Sequence, residues 1–65
     1  MNTEYKVGDT IRYRAFGGEV RKIRIDYRTD DIKDNRAGFD GTMIDTGMGV
    51  WGYDEQIIQV IKEAP

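Results

Sequence analysis

Apolar and polar positions alternate in short runs along most of this chain, and glycine and aspartate break the runs at regular intervals. Thr10 to Ala15 reads as a first strand, with Ile11, Tyr13 and Ala15 on one face and Thr10, Arg12 and Arg14 on the other. The preceding Val7-Gly8-Asp9 marks a tight turn. Phe16-Gly17-Gly18 is a second turn, since either glycine takes a positive φ at no steric cost. Strand two is expected from about Glu19 to Arg28, where Ile23, Ile25 and Tyr27 alternate against Lys22, Arg24, Asp26 and Arg28. Val20 falls out of phase with that set, which predicts a bulge near Arg21-Lys22. Thr29 to Gly38 holds Asp30-Asp31, Asp34-Asn35 and one large apolar residue, Ile32, and reads as a long, mobile polar loop.

Strand three is expected from Phe39 to Asp45, with Gly41 marking a bend or a close backbone approach. Asp45 to Gly49 is a hairpin loop, Val50 to Tyr53 a short aromatic strand, and Tyr53-Asp54-Glu55-Gln56 a single 3-10 turn. Ile57 to Lys62 closes the set. The rival is a C-terminal helix from Asp54 to Ala64 capped by Asp54. The β-branched run Ile57-Ile58-Gln59-Val60-Ile61 favours the strand.

In the Val7-Gly8-Asp9 opening and the turn between the last two strands, the chain resembles the SH3-like superfold of KOW and Tudor type. That resemblance implies an all-β chain forming a single five-stranded SH3-like barrel over residues 1–65, with an ordered core of about 5–63 and a 3-10 turn before the last strand. Phe16-Gly17-Gly18-Glu19 departs from the KOW signature, which wants a basic residue and glycine after the first strand. Gly38-Phe39-Asp40-Gly41 followed by Val50-Trp51-Gly52-Tyr53-Asp54 resembles small uncharacterised proteins of actinobacteria and their phages. This second resemblance implies an accessory protein and supplies no activity.

Composition narrows the chemistry. With 65 residues, no Cys and no His, the chain is expected to fold as one domain on an aliphatic and aromatic core alone. That core is expected to contain Val7, Ile11, Tyr13, Val20, Ile23, Ile25, Phe39, Met43, Val50, Trp51, Ile58 and Val60. The missing residue types remove Cys/His zinc sites and the His-dependent nucleophile dyads, so no enzyme, metal or cofactor is expected. Asp30, Asp31 and Asp34 do not form an EF-hand loop, since Asn35 and Gly41 occupy its required sixth and twelfth positions. No membrane span or signal peptide is evident, and a complete cytoplasmic protein is expected. Net charge is −2, yet residues 1–28 sum to +3 and residues 29–65 to −5.

Two binding readings follow. The leading one is a protein partner, identity unspecified, held by the 29–38 loop through Asp30, Asp31 and Ile32 together with Phe39 and Tyr53. Trp51 shares a strand face with Tyr53 and divides between core and groove. The alternative is nucleic acid. Arg12, Arg14, Lys22, Arg24 and Arg28 would form a basic strip for phosphates, with Phe16 or an exposed tyrosine stacking on bases.

Overall fold

The computed structural model describes residues 4–61, so Lys62 and the end of the expected core lie outside the described residues. Five antiparallel strands form one sheet: β1 (Thr10–Arg14), β2 (Val20–Lys33), β3 (Arg36–Met43), β4 (Gly49–Tyr53) and β5 (Ile57–Ile61). A 3-10 turn, Asp54–Gln56, joins β4 to β5, and the C-terminal segment is strand rather than helix. The strand order is β4-β3-β2-β1-β5. The all-β expectation holds, but the expected closed barrel is corrected to an open sheet. The 3-10 turn carries the chain from one sheet edge to the other, and no register pairs β4 with β5 among the described residues. Among the described residues, no helix is long and apolar enough to cross a membrane.

The opening turn is built as its residues suggest. Gly8 has φ 98°, and the Asp9 carboxylate accepts the Lys6 N–H at 3.0 Å. Gly8 N–H donates to the Ile25 carbonyl and Ile25 N–H to the Asp9 carbonyl, both at 2.9 Å, which stitches the turn to β2. Val7 at the turn is therefore exposed and Tyr5 enters the core in its place, contrary to the expected core list.

The predicted bulge at Arg21-Lys22 is absent. β1 and β2 pair in unbroken register from Thr10↔Arg24 to Arg14↔Val20, and Val20 simply faces solvent. The irregularity falls instead between Ile25 and Tyr27 against β3, where Asp26 is the extra residue. Phase reverses there, so Tyr27 is exposed and Arg28 turns back over Tyr5. The expected polar loop is likewise corrected, because β2 runs through to Lys33 and β3 starts at Arg36. Asp34 and Asn35 take φ 57° and 59°, the left-handed pair that a two-residue hairpin turn requires. Asp31 Oδ1 accepts the Asn35 N–H at 2.9 Å and fixes that turn from behind. Four residue steps on β2, from Thr29 to Lys33, face two on β3, so Asp30 and Asp31 are pushed out of the ladder.

Tyr5, Ile11, Tyr13, Ile23, Ile25, Phe39 and Ile57 make the core, with Ala15, Met43, Val50 and Val60 packed on it. Phe39 meets Tyr13 edge to face at 5.3 Å and Tyr5 at 6.1 Å. Such pairs contribute about 0.5–1.5 kcal/mol each beyond area burial. Gly41 is the close approach its position suggested: a Cβ there would stand 2.5 Å from the Arg24 carbonyl oxygen. Ile58 is exposed, and Trp51 is half-buried outside this cluster.

Candidate functional site: an aromatic groove outside the core

The chain has seven aromatic residues, and the core uses Tyr5, Tyr13 and Phe39. Three others, Phe16, Trp51 and Tyr53, gather elsewhere. Gly52 packs its α-carbon toward Phe39 and Tyr13, so strand alternation sends its neighbours Trp51 and Tyr53 to the opposite side of β4. Phe16 sits in the β1–β2 turn, which is closed by Gly18 N–H to the Ala15 carbonyl at 2.8 Å with Gly18 at φ 92°. The ring centroids lie 4.9 Å apart for Phe16 and Trp51, 6.0 Å for Phe16 and Tyr53, and 5.3 Å for Trp51 and Tyr53.

Gln56 brings the two halves of this cluster together. Its Oε1 accepts the Tyr53 N–H and its Nε2 donates to the Arg14 carbonyl, both at 2.7 Å. The 3-10 turn is thereby tied to the end of β1, just where the Phe16 turn begins. A second brace comes from below. The Tyr5 hydroxyl donates to Asp54, with the Gly38 carbonyl oxygen also in reach at 3.2 Å. Burial, reinforced by the bond to Asp54, raises the Tyr5 hydroxyl pKa well above the usual tyrosine value. Arg28 completes the brace, donating to the Tyr5 carbonyl at 2.8 Å with its guanidinium 4.6 Å from the ring centre.

Cations flank the rings. The Arg36 guanidinium lies 3.7 Å from the Tyr53 ring centre and pairs with Glu55, and Lys33 Nζ lies 5.8 Å from the Trp51 ring centre. Between the Phe16 turn and the 3-10 turn runs an open groove of ≈ 510 Å³, lined by Arg14, Ala15, Phe16, Arg36, Tyr53 and the segment Glu55 to Ile58. A second depression of ≈ 500 Å³ lies between the start of β2 and the end of β3, around Val20, Arg21, Met43 and Ile44.

The residues singled out by sequence are dispersed. Tyr53 lies in the groove, but Phe39 is fully buried in the core and offers no surface to a partner. Asp30 and Asp31 are exposed on the β2–β3 hairpin, and Ile32 is half-buried on the same strand. Arg12, Arg14, Lys22 and Arg24 do share an exposed face of β1 and β2, with Arg12 directly opposite Lys22. Arg28 leaves that strip for Tyr5 because of the Asp26 bulge. Arg24 pairs with Asp26, whose carboxyl is held below its ordinary pKa first by the Thr42 hydroxyl and then by Arg24. Sequence reasoning missed Arg36, Glu55 and Gln56, and it gave Phe16 only a stacking role. The signal for Phe16 was present, since a large ring beside two turn glycines has little chance of burial. Comparison with protein-family models, curated proteins and solved structures returned no match.

Proposed function

We propose that this chain is a non-enzymatic interaction module, an open five-stranded sheet that binds an extended segment of a protein partner in the groove between Phe16 and the 3-10 turn, beside Trp51. One observation carries the reading: Phe16 stands in solvent against Trp51 and the buried Tyr53, in a second aromatic cluster apart from that of Tyr5, Tyr13 and Phe39. Phe16 is 62% exposed, so its burial is not what holds the sheet together. Aromatic and arginine side chains dominate binding energy where proteins meet, and the groove carries both. The Gln56 bridge and the Tyr5–Asp54 bond fix its walls before a ligand arrives, which lowers the ordering cost of binding. The test is selection from a random-peptide display library on the wild-type protein and on Phe16→Ser. Peptides that enrich on the wild type and fail on a folded Phe16→Ser protein support the groove. Peptides that enrich equally on both would place binding elsewhere.

A second reading has its own observation. Arg12 and Lys22 stand directly opposite on paired strands, an arrangement that costs stability unless an anion covers it. This favours nucleic acid on the strip. Titrating oligonucleotides at rising salt checks it: affinity falling steeply with salt supports the strip, and no binding at low salt removes it.

A further inference from the structure

The charge around the groove goes further than its shape. Resting on the peptide reading above, we infer that the partner segment is acidic, an apolar side chain laid on the exposed Phe16 ring along the groove with a carboxylate reaching Arg14. Arg14 and Arg36 both line the groove, and Lys33 stands over the neighbouring Trp51 ring. Glu55 is the acidic residue of the described lining, and it is paired with Arg36. Asp54, next in sequence, gives its carboxylate to the Tyr5 hydroxyl. A guanidinium carries five N–H donors, and Arg14 is bonded through Nη1 to the Gly18 carbonyl at 3.1 Å. Its other donors make no hydrogen bond among the described residues and can take a carboxylate in charge-assisted bonds, the strong class of hydrogen bond.

The chain as a whole is acidic, at −2, so the cationic rim is a local feature. Asp30, Asp31 and Asp34 sit at the β2–β3 hairpin tip and Asp40 stands opposite Trp51, outside the groove lining, while past Arg14 the outer face continues through Arg12 and Lys22. A basic segment would meet Arg14, Lys33 and Arg36 together. A single nucleic-acid strand needs several open ring faces on which successive bases stack, and of these three rings Phe16 alone is largely exposed. Trp51 and Phe16 stand at 79° and 88° to Tyr53, and Arg36 covers the Tyr53 face. A peptide's aliphatic side chain packs on the exposed part of Phe16 and along Ala15 and Ile58 without needing stacked ring faces.

The test reads the composition of the peptides selected on wild-type protein, then titrates one of them against the sole tryptophan's fluorescence. Enriched sequences should carry Asp or Glu beside an apolar anchor. Affinity for the selected peptide should fall steeply with salt and about five- to tenfold on Arg14→Gln, the scale of one lost partly exposed charge-assisted bond. A synthetic version with every acid changed to lysine should not bind, which checks the claim without any protein variant. Phe16-dependent enrichment of neutral or basic sequences would overturn the acidic preference and leave the groove intact. Absence of any Phe16-dependent enrichment would overturn both. An oligothymidylate that displaces the peptide at matched charge would replace the acidic segment with nucleic acid.

Discussion

Two aromatic clusters of similar make-up sit in different surroundings in this molecule. Phe39, Tyr13 and Tyr5 meet edge to face with at most 2% of each residue exposed, and every strand places a residue in the cluster around them or packs one against it. Phe16, Trp51 and Tyr53 also contact one another, two of the pairs edge to face and the third tilted, yet only Tyr53 of the three is buried; Trp51 is half-buried and Phe16 mostly exposed. The contrast separates ring contact from ring burial. Contact between rings contributes about a kcal/mol, whereas burial of a whole ring contributes several. A chain of this size has a total stability of roughly 3–10 kcal/mol, so the inner cluster decides whether it folds and the outer one does not.

The sharpest way to break this comparison is to truncate one ring from each side. Phe39→Ala should cost about 3–5 kcal/mol, enough to leave the chain largely unfolded, as urea denaturation followed by circular dichroism would register. Phe16→Ala should cost under about 1 kcal/mol in the same assay. Equal losses would erase the distinction between the clusters.

Tyr5→Phe sharpens the comparison at the junction between them. It keeps the inner ring and removes the hydroxyl that reaches Asp54 and the Gly38 carbonyl under the groove. The expected loss is about 1–3 kcal/mol, that of a buried partner left unsatisfied, together with broadened amide signals for 53–56. A variant as stable as the wild type would show the brace to be idle.

Titration with alkali separates inner hydroxyls from solvent-exposed ones. Tyr5 and Tyr13 both have pKa values raised by burial, Tyr5 further by its bond to Asp54. Unfolded tyrosines ionise near about pH 10, so above that pH the unfolded chain holds fewer protons than the folded one. Stability is therefore fully present below that pH and declines as pH rises past it. Tyr5→Phe should make the decline shallower. A midpoint of urea unfolding unchanged between pH 9 and 11 would contradict the burial of both hydroxyls.

The smallest effect is expected on the strip. Arg12→Glu with Arg24→Glu should leave stability within about 1 kcal/mol, because both side chains lie on the exposed strand face. Unfolding by that pair would make the strip part of the scaffold.

Strand periodicity made most of the sheet legible in advance, since Ile11, Tyr13, Ile23 and Ile25 alternate as a half-buried hairpin must. It failed wherever a residue's phase depended on a distant strand. The bulge at Asp26 is set by pairing with β3, and nothing near Tyr27 announces that the phase will reverse there. Asp34-Asn35 was legible as a turn but was read as part of a polar loop. A run of aspartates looks solvated whether or not its backbone is paired, and here Asp31 and the left-handed pair close a hairpin. The groove was half visible. Trp51 and Tyr53 share a strand face by parity alone, but only folding brings Phe16 to them, through the Gln56 bridge between the 3-10 turn and β1.

The central claim is that the outer rings exist to be covered by a partner. Amide and aromatic chemical-shift mapping of the labelled protein with a display-selected peptide tests it most directly. The account predicts shifts confined to Arg14–Phe16, Arg36 and 51–58, with the core and the Asp30–Asp34 hairpin tip unmoved. Saturable shifts centred on the hairpin tip or on Arg12 and Lys22, with Phe16 and Trp51 silent, would contradict it.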